Sequence, residues 1–341
     1  MSVLYIASDG RGAGKTALSA ALAVILSRHV GSVGVFKPFA ALGVQPESDP
    51  DGASYQALLG QAADGWPVEA PSGGLTQRAA NAAAKALARV SDGRDVVIVE
   101  GSNALTPEDT ARLVAAMDAR VVVVSAYRRQ LTAADLLPWR ETLGDALTGC
   151  VVNGVTRHLG AEAADRLLPS FTTEGEAEGI VCLGLIPEVR RLLGVSVKQL
   201  AEHLGGRFMS NGPNTDHLLE RFQVGALSLD PGEQWFAQYS DNAVIVRGDR
   251  PDVQMSALKA SISCLVLTSG IDPIEYVTYE AEQEEVPVMV VGTDTMATMD
   301  ALNTMAESAL FDHPRKLESF VQLVEEHIDL GPVMAALGIK G

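Results

Sequence analysis

VLYIASDGRGAGKTALSAALAVIL, residues 3–26, decides the fold. Its first five residues form a continuous apolar run that reads as a buried strand. Its last stretch, rich in Ala and Leu, reads as a helix over about 15–28. Between them stands Ser8-Asp9-Gly10-Arg11-Gly12-Ala13-Gly14-Lys15-Thr16. A glycine-rich turn that follows a strand, ends in Gly-Lys-Thr and opens a helix is the setting of a phosphate-binding P-loop. Gly10, Gly12 and Gly14 let the backbone curl, so the amides of residues 10–16, Arg11 and Ala13 among them, can face phosphate oxygens. The helix start near Gly14 adds partial positive charge. Lys15 can reach the β- and γ-phosphates, and the Thr16 hydroxyl can ligate Mg2+. MgATP is the expected ligand. One position departs from the strict spacing: Asp9 stands where a glycine belongs, and a carboxylate there weakens anion affinity unless it turns away or meets a metal.

Outward from this segment the same rhythm continues. Strands are predicted at 32–37, 95–100, 120–126, 149–155 and 179–186, with helices at about 75–90, 107–117, 131–143 and 161–168 between them. Apolar β-branched runs spaced by helices mean a parallel sheet covered on both faces, a doubly wound α/β domain. Gly, Asn and Pro cluster in HLGGRFMSNGPN, residues 203–214, and place a boundary near 210. Beyond it a smaller strand–helix alternation follows, with strands at 223–229, 242–248, 263–269 and 286–292 and helices at 231–239, 251–260, 273–283 and 294–308. A last helix is expected over 314–329, and the tail GPVMAALGIKG is expected to be weakly ordered. The domains are therefore 1–208, a linker 209–221, a second domain 222–310, and a C-terminal helix and tail 311–341.

Composition narrows the partners. With 26 Lys and Arg against 43 Asp and Glu, the chain of 341 residues carries a net charge of −17 and shows no basic run. Such a surface repels nucleic acid and anionic lipid at long range, so neither is an expected partner. The longest apolar run, residues 17–26, is too short to span a bilayer, and Asp9 and Arg11 follow too soon for a secretory leader. The expectation is a soluble, cytoplasmic protein. Cys150, Cys182 and Cys264 lie in apolar runs without CxxC spacing, and read as buried small hydrophobes rather than a disulfide or zinc framework. The six histidines show no metal-ligand spacing.

The crevice of a doubly wound sheet lies at the carboxyl ends of its strands. Glu100 ends the apolar strand VVIVE and should arrive beside the P-loop as a metal-binding acid. Asp49 and Asp51, in the ESDPDG loop, are both candidates to complete the metal shell; an acidic turn explains each as well. Lys37 ends SVGVFK and could hold a substrate anion or the γ-phosphate, or be a surface lysine. Asn153 ends GCVVN and could read an adenine edge or cap its strand. In the second domain Asp249 is the expected N-cap of a helix opened by Pro251. Arg250 would then be exposed, to grip an anion or to pair locally.

The order SDGRGAGKT, VFKP, VIVEGS, VVNGV and LGLIPE resembles dethiobiotin synthetase. It is still more similar to the P-loop domain at the N-terminus of some phosphotransacetylases, over residues 1 to about 200. VGALSL, VIVRGDRPD, LVLTSGIDP and VPVMVVGTDT, over about 223–308, resemble a DRTGG domain. The resemblance implies phosphate and Mg2+ roles for Lys15 and Thr16, metal-binding roles for Glu100 and for Asp51 or Asp49, and a substrate-side, catalytic role for Lys37. It also implies an adenine-reading role for Asn153, with Pro187 and Glu188 near the base. Ser8 stands where the synthetase loop has glycine, and Ser102-Asn103-Ala104 replaces its glycine-rich substrate loop. The chain ends where an acyltransferase domain would begin, so acetyl transfer is not expected of it alone.

The combined expectation is an ATP- and Mg2+-binding protein, at most a slow ATPase. Its DRTGG-like domain would sense a small molecule or dimerise the chain. The alternatives are a dethiobiotin-synthetase-type ligase for a small carboxylate or carbamate, and a regulatory subunit of a separate acyltransferase.

Overall fold

The structure, a computed structural model, describes residues 1–41, 43–61, 67–71, 73–172, 180–209, 214–225, 232–305 and 309–340. Parts of the predicted linker (210–213), of the predicted strand 223–229 (226–229) and of the predicted helix 294–308 (306–308) lie outside these residues. By contacts the chain divides into Met1–Val189 with Phe311–Gly341, and Arg190–Leu310. The sequence reading placed that division at 208 and set 311–341 apart. Among the described residues, no helix is long and apolar enough to cross a membrane.

The first unit holds β1 (Ser2–Ser8), α1 (Lys15–Leu26), β2 (Val33–Phe36), α2 (Pro50–Leu59), α3 (Gln77–Val90), β3 (Val96–Glu100), α4 (Pro107–Met117), β4 (Ala119–Ala126), α5 (Leu137–Leu143), β5 (Leu147–Val155), α6 (Gly160–Thr172) and β6 (Cys182–Pro187). The strands form one parallel sheet in the order β2-β3-β1-β4-β5-β6. The doubly wound P-loop α/β expectation stands. Every residue of β3 is buried, as a continuous Val/Ile run covered on both faces must be. Each such side chain contributes about 1.5–3 kcal/mol by leaving water.

Two segments depart from the sequence reading. ESDPDG is not simply a loop: Asp49 caps α2, its side chain accepting from the Asp51 amide at 3.1 Å, with Pro50 in the first turn. The tail also orders. With α12 (Pro314–His327) preceding it, it forms α13 (Gly331–Ala336), with Val333 only 1% exposed, and α13 packs on β5. α12 packs along α1, and Gly184 of β6 bridges Ile328; a Cβ at Gly184 would stand 1.9 Å from the His327 carbonyl oxygen.

The second unit runs β7 (Val195–Ser196), α7 (Val197–Leu204), β8 (Arg207–Phe208), β9 (Leu218–Leu219), β10 (Arg221–Val224), α8 (Gly232–Phe236), β11 (Asn242–Arg247), α9 (Pro251–Leu258), β12 (Cys264–Thr268), α10 (Glu275–Gln283), β13 (Val288–Val290) and α11 (Thr295–Met305). Its sheet has the order β10-β11-β12-β13-β8, with β8 antiparallel to β13 and the other pairs parallel. An apolar cluster covers each face of this sheet, one with Phe236, Val244 and Leu265, the other with Ile245, Val266 and Met289. Leu218 and Leu219, predicted as linker, are buried and pair with β7. Two-residue strands carry no periodicity a sequence can show.

Candidate functional site

The P-loop joins β1 to α1. Gly12 and Gly14 have φ of 68° and 96°, in the left-handed region that favours glycine. Gly14 is the N-cap of α1 and supplies no side-chain hydrogen bond, and the first turn contains no acid. The first amides of this 12-residue helix are thus left for an anion. A Cβ on Gly10 or Gly12 would meet nothing within 4 Å, whereas one on Gly14 would stand 2.3 Å from Asn153 Nδ2. Lys15 Nζ donates to Ser8 Oγ at 2.9 Å, and Ser8 Oγ donates to the Gly10 carbonyl at 2.9 Å. Burial lowers the Lys15 pKa, opposed by the charges of Glu100, Asp51 and Asp9. Asp9 is turned toward β4: its carboxylate accepts from Ser125 Oγ at 2.6 Å and pairs with Arg128 at 3.1 Å. One oxygen of Asp9, Oδ2, is thus taken up by Ser125 and Arg128, while Oδ1 is buried without a hydrogen-bond partner. Arg11 is exposed and Ala13 is buried.

Beside the loop lies a cluster of buried charge. Glu100 ends β3 in register with Ile6 of β1. The Thr16 hydroxyl lies 3.0 Å from Asp51 Oδ1 and 3.1 Å from Glu100 Oε1. Tyr55, one helical turn after Asp51 on α2, donates its hydroxyl to Glu100 Oε2. Lys37 is 2% exposed, so it is not a surface lysine. Its ammonium donates to both Asp49 oxygens at 2.8 Å and to Asp51 Oδ2. Asp49 also accepts from the amides of Ala41 and Asp51, so both its oxygens are taken. Asp51, not Asp49, presents an oxygen to Thr16.

Electrostatics follow from that packing. Burial first, then the charge of Asp51, raises Glu100 to about 7, against the pull of Lys37, Lys15 and the Tyr55 hydrogen bond. Burial alone would lower Lys37; Glu100, Asp51 and the bonds to Asp49 and Asp51 outweigh it and raise its pKa. The Thr16 hydroxyl and the Asp51 and Glu100 oxygens that converge on it are the hard oxygen donors that Mg2+ takes, so these residues fit the ion. Among the described residues, no three His, Cys, Asp or Glu side chains form a metal cage. A P-loop magnesium does not need one, because phosphate and water complete its shell.

The end of β5 braces the loop. Asn153 Nδ2 donates to the Ala13 carbonyl at 2.9 Å. Pro187 ends β6 opposite Val155, and the Glu188 amide donates to the Val155 carbonyl at 2.8 Å, leaving its side chain exposed. Gly101 is required beside Tyr5, whose hydroxyl would lie 2.6 Å from an added Cβ. Tyr55, Ser125 and Arg128 were missed by sequence reasoning. Tyr55 had a signal, since Asp49-Pro50 is an N-cap followed by a first-turn proline and puts Asp51 and Tyr55 on one face. Ser125 and Arg128 had none.

In the second unit the arginine expected to be exposed is half-buried and occupied. Arg250 pairs with Asp252 through two bonds, at 2.9 and 2.7 Å, and Asp249 pairs with Arg247 at 2.7 Å. Arg250, not Asp249, holds the N-cap position of α9. Thr268 and Thr295 share a hydrogen bond at 3.0 Å, and Asp294 caps α11 by accepting from the Ala297 amide at 2.8 Å.

The chain matches the AAA domain model over residues 2–195 and the DRTGG domain model over 199–305. It is 25% identical to the phosphate acetyltransferase of Deinococcus radiodurans, over 100% of this chain and 52% of that protein. It is 24% identical to that of Nitratidesulfovibrio vulgaris, over 71% of this chain and 37% of that protein. It thus spans about half or less of the length of these relatives. Among solved structures, MinD of Aquifex aeolicus aligns at 15% identity over 57% of this chain and 85% of its own, TM-score 0.39. The CBS and DRTGG domains of the regulatory region of Clostridium perfringens pyrophosphatase, complexed with the activator diadenosine tetraphosphate, align at 17% identity over 34% and 48%, TM-score 0.28. Since the first match covers more than half of the chain, this protein belongs to the AAA domain family, with a P-loop domain followed by a DRTGG domain, and is homologous to phosphate acetyltransferases.

Proposed function

We propose that this protein binds MgATP at its P-loop and that its DRTGG domain regulates it, by sensing a small molecule or by dimerising the chain. The observation that carries the reading is the Thr16 hydroxyl set between Asp51 and Glu100, behind a loop whose amides and Lys15 suit a triphosphate. In this reading Lys15 leaves Ser8 for the β- and γ-phosphates. Thr16, Asp51 and Glu100 hold the cation, and Asn153 keeps Ala13 and Gly14 in place. Lys37 balances Asp49 and Asp51 rather than meeting a substrate directly. Mg2+ supplies neutralisation of phosphate charge when it is bound. Hydrolysis is slow, and a cytoplasmic location, where ATP is available, belongs to the same proposal.

Calorimetric titration with ATP, with and without Mg2+, tests it. Lys15→Ala is expected to weaken ATP binding by at least about tenfold, or about 1.4 kcal/mol. Unchanged affinity in that variant, or no uptake by the native chain, overturns the proposal. A small-acid panel that accelerates ADP release many-fold would favour a ligase of the dethiobiotin synthetase type. Co-purification with an acyltransferase would favour a regulatory subunit.

A further inference from the structure

Cys150 and Cys182 are 32 positions apart in sequence and adjacent in the fold. They are register partners on the neighbouring parallel strands β5 and β6. Partners in a parallel ladder point to the same face, and the strands lie about 4.8 Å apart. A disulfide spans Cα separations of about 4.4–6.8 Å, and the spacing of paired strands falls inside that range. The ladder is irregular at this point: the next partner of Val151 is Gly184, which leaves Leu183 as an extra residue on β6. A bulge gives the outermost strand freedom to adjust the sulfur positions.

The two thiols differ in access. Cys150 is 1% exposed, while Cys182 is half-buried and follows Val181, which is 49% exposed. They also differ in acidity. The hydrogen bond between them raises Cys150, with burial adding to it, and lowers Cys182. Cys182 S–H donates to the Gly184 carbonyl at 3.8 Å, and Cys182, half-buried where Cys150 is buried, is the more accessible thiol and so the nucleophile. Cys264, in the second unit, is 0% exposed, and burial pushes its thiol up to about 12. It is an internal control.

We propose that Cys150 and Cys182 are a modification site: a hydroperoxide oxidises Cys182, and Cys150 resolves it to an intramolecular disulfide. The Cys182 thiolate attacks one peroxide oxygen, the O–O bond breaks, and the other oxygen leaves as water or an alcohol. Cys182 is then a sulfenic acid. The Cys150 sulfur attacks Cys182, the S–O bond breaks, and the hydroxyl leaves as water with the Cys150 proton. The two thiols lose two electrons and two protons, and the peroxide gains them.

The test is hydrogen peroxide on the full-length protein, followed by alkylation under denaturing conditions and peptide mass mapping. Before oxidation, three cysteines take the label. After it, only Cys264 does, the intact mass falls by two hydrogens, and one cross-linked peptide pair joins Cys150 to Cys182. Dithiothreitol restores all three labels. Cys150→Ser stops the reaction at Cys182, where dimedone traps a sulfenic acid, and Cys182→Ser leaves Cys150 fully alkylatable. Three labels after peroxide, a Cys182 oxidised alone in the native protein, or a cross-link between two chains overturns the proposal. The native-protein arms decide the question even if a variant fails to fold.

Discussion

Lys37→Met removes one ammonium from the charge cluster beside the P-loop and keeps most of the side chain's volume. Lys37 and Asp49 have side-chain exposures of 2% and 0%, so water barely screens their pair. In the variant, Asp49 loses both its 2.8 Å bonds to the ammonium, and Asp51 loses its own. Removing one partner of a buried pair destabilises by about 3–5 kcal/mol, because the carboxylate left behind is desolvated and unpaired. With a urea slope of about 2 kcal/mol per molar, that is a midpoint lower by about 2 M. Urea unfolding followed by circular dichroism in metal-free buffer measures it. Mg2+ should restore part of the loss, since a cation on Asp51 and Glu100 replaces the missing charge; the native chain should gain less, because Lys37 already occupies Asp51. A midpoint within a few tenths of a molar of the native value would refute the reasoning. So would a loss that Mg2+ leaves untouched.

Three further outcomes are expected. Glu100 is held at about 7 when folded, against an ordinary 4.5, so the folded state binds its proton more tightly. That stability is complete below about pH 4.5 and is lost as pH rises through 7; Glu100→Gln should flatten the metal-free urea midpoint between pH 5 and 8. Tyr55→Phe removes the hydrogen bond to Glu100 and should cost about 1.5–3 kcal/mol at about pH 8, where that carboxylate is ionised, read from the same unfolding curves. Gly14→Ala places a Cβ 2.3 Å from Asn153 Nδ2 at a residue with φ of 96°, and should abolish nucleotide uptake in calorimetry while circular dichroism stays native.

Much of the first unit was legible in the amino-acid order because its signals are contiguous. Five residues of buried strand, a glycine turn and a helix rich in Ala and Leu lie within residues 3–26, and local backbone preference suffices to write them as β1, P-loop and α1. Glu100 was legible for the same reason, as the charge that ends a run of four apolar strand residues. Helix α2 left its mark in Asp49-Pro50, and reading that mark would have put Tyr55 beside the acids.

What lay beyond the sequence was pairing between distant segments. Nothing in ESDPDG says that Asp49 is spent on Lys37 while Asp51 faces Thr16; the parallel order β2-β3-β1 brings residues 16, 37, 51 and 100 together and decides it. Asp9 looked like a defect until β4 supplied Ser125 to turn it aside. The tail 331–336 is helical because α13 packs on β5 and buries Val333, and Cys150 meets Cys182 only through the ladder of β5 and β6. Strand, turn and helix arise from neighbours along the chain. Which charges neutralise each other, and which cysteines become neighbours, is set by burial against partners that only a folded sheet brings within a few ångströms.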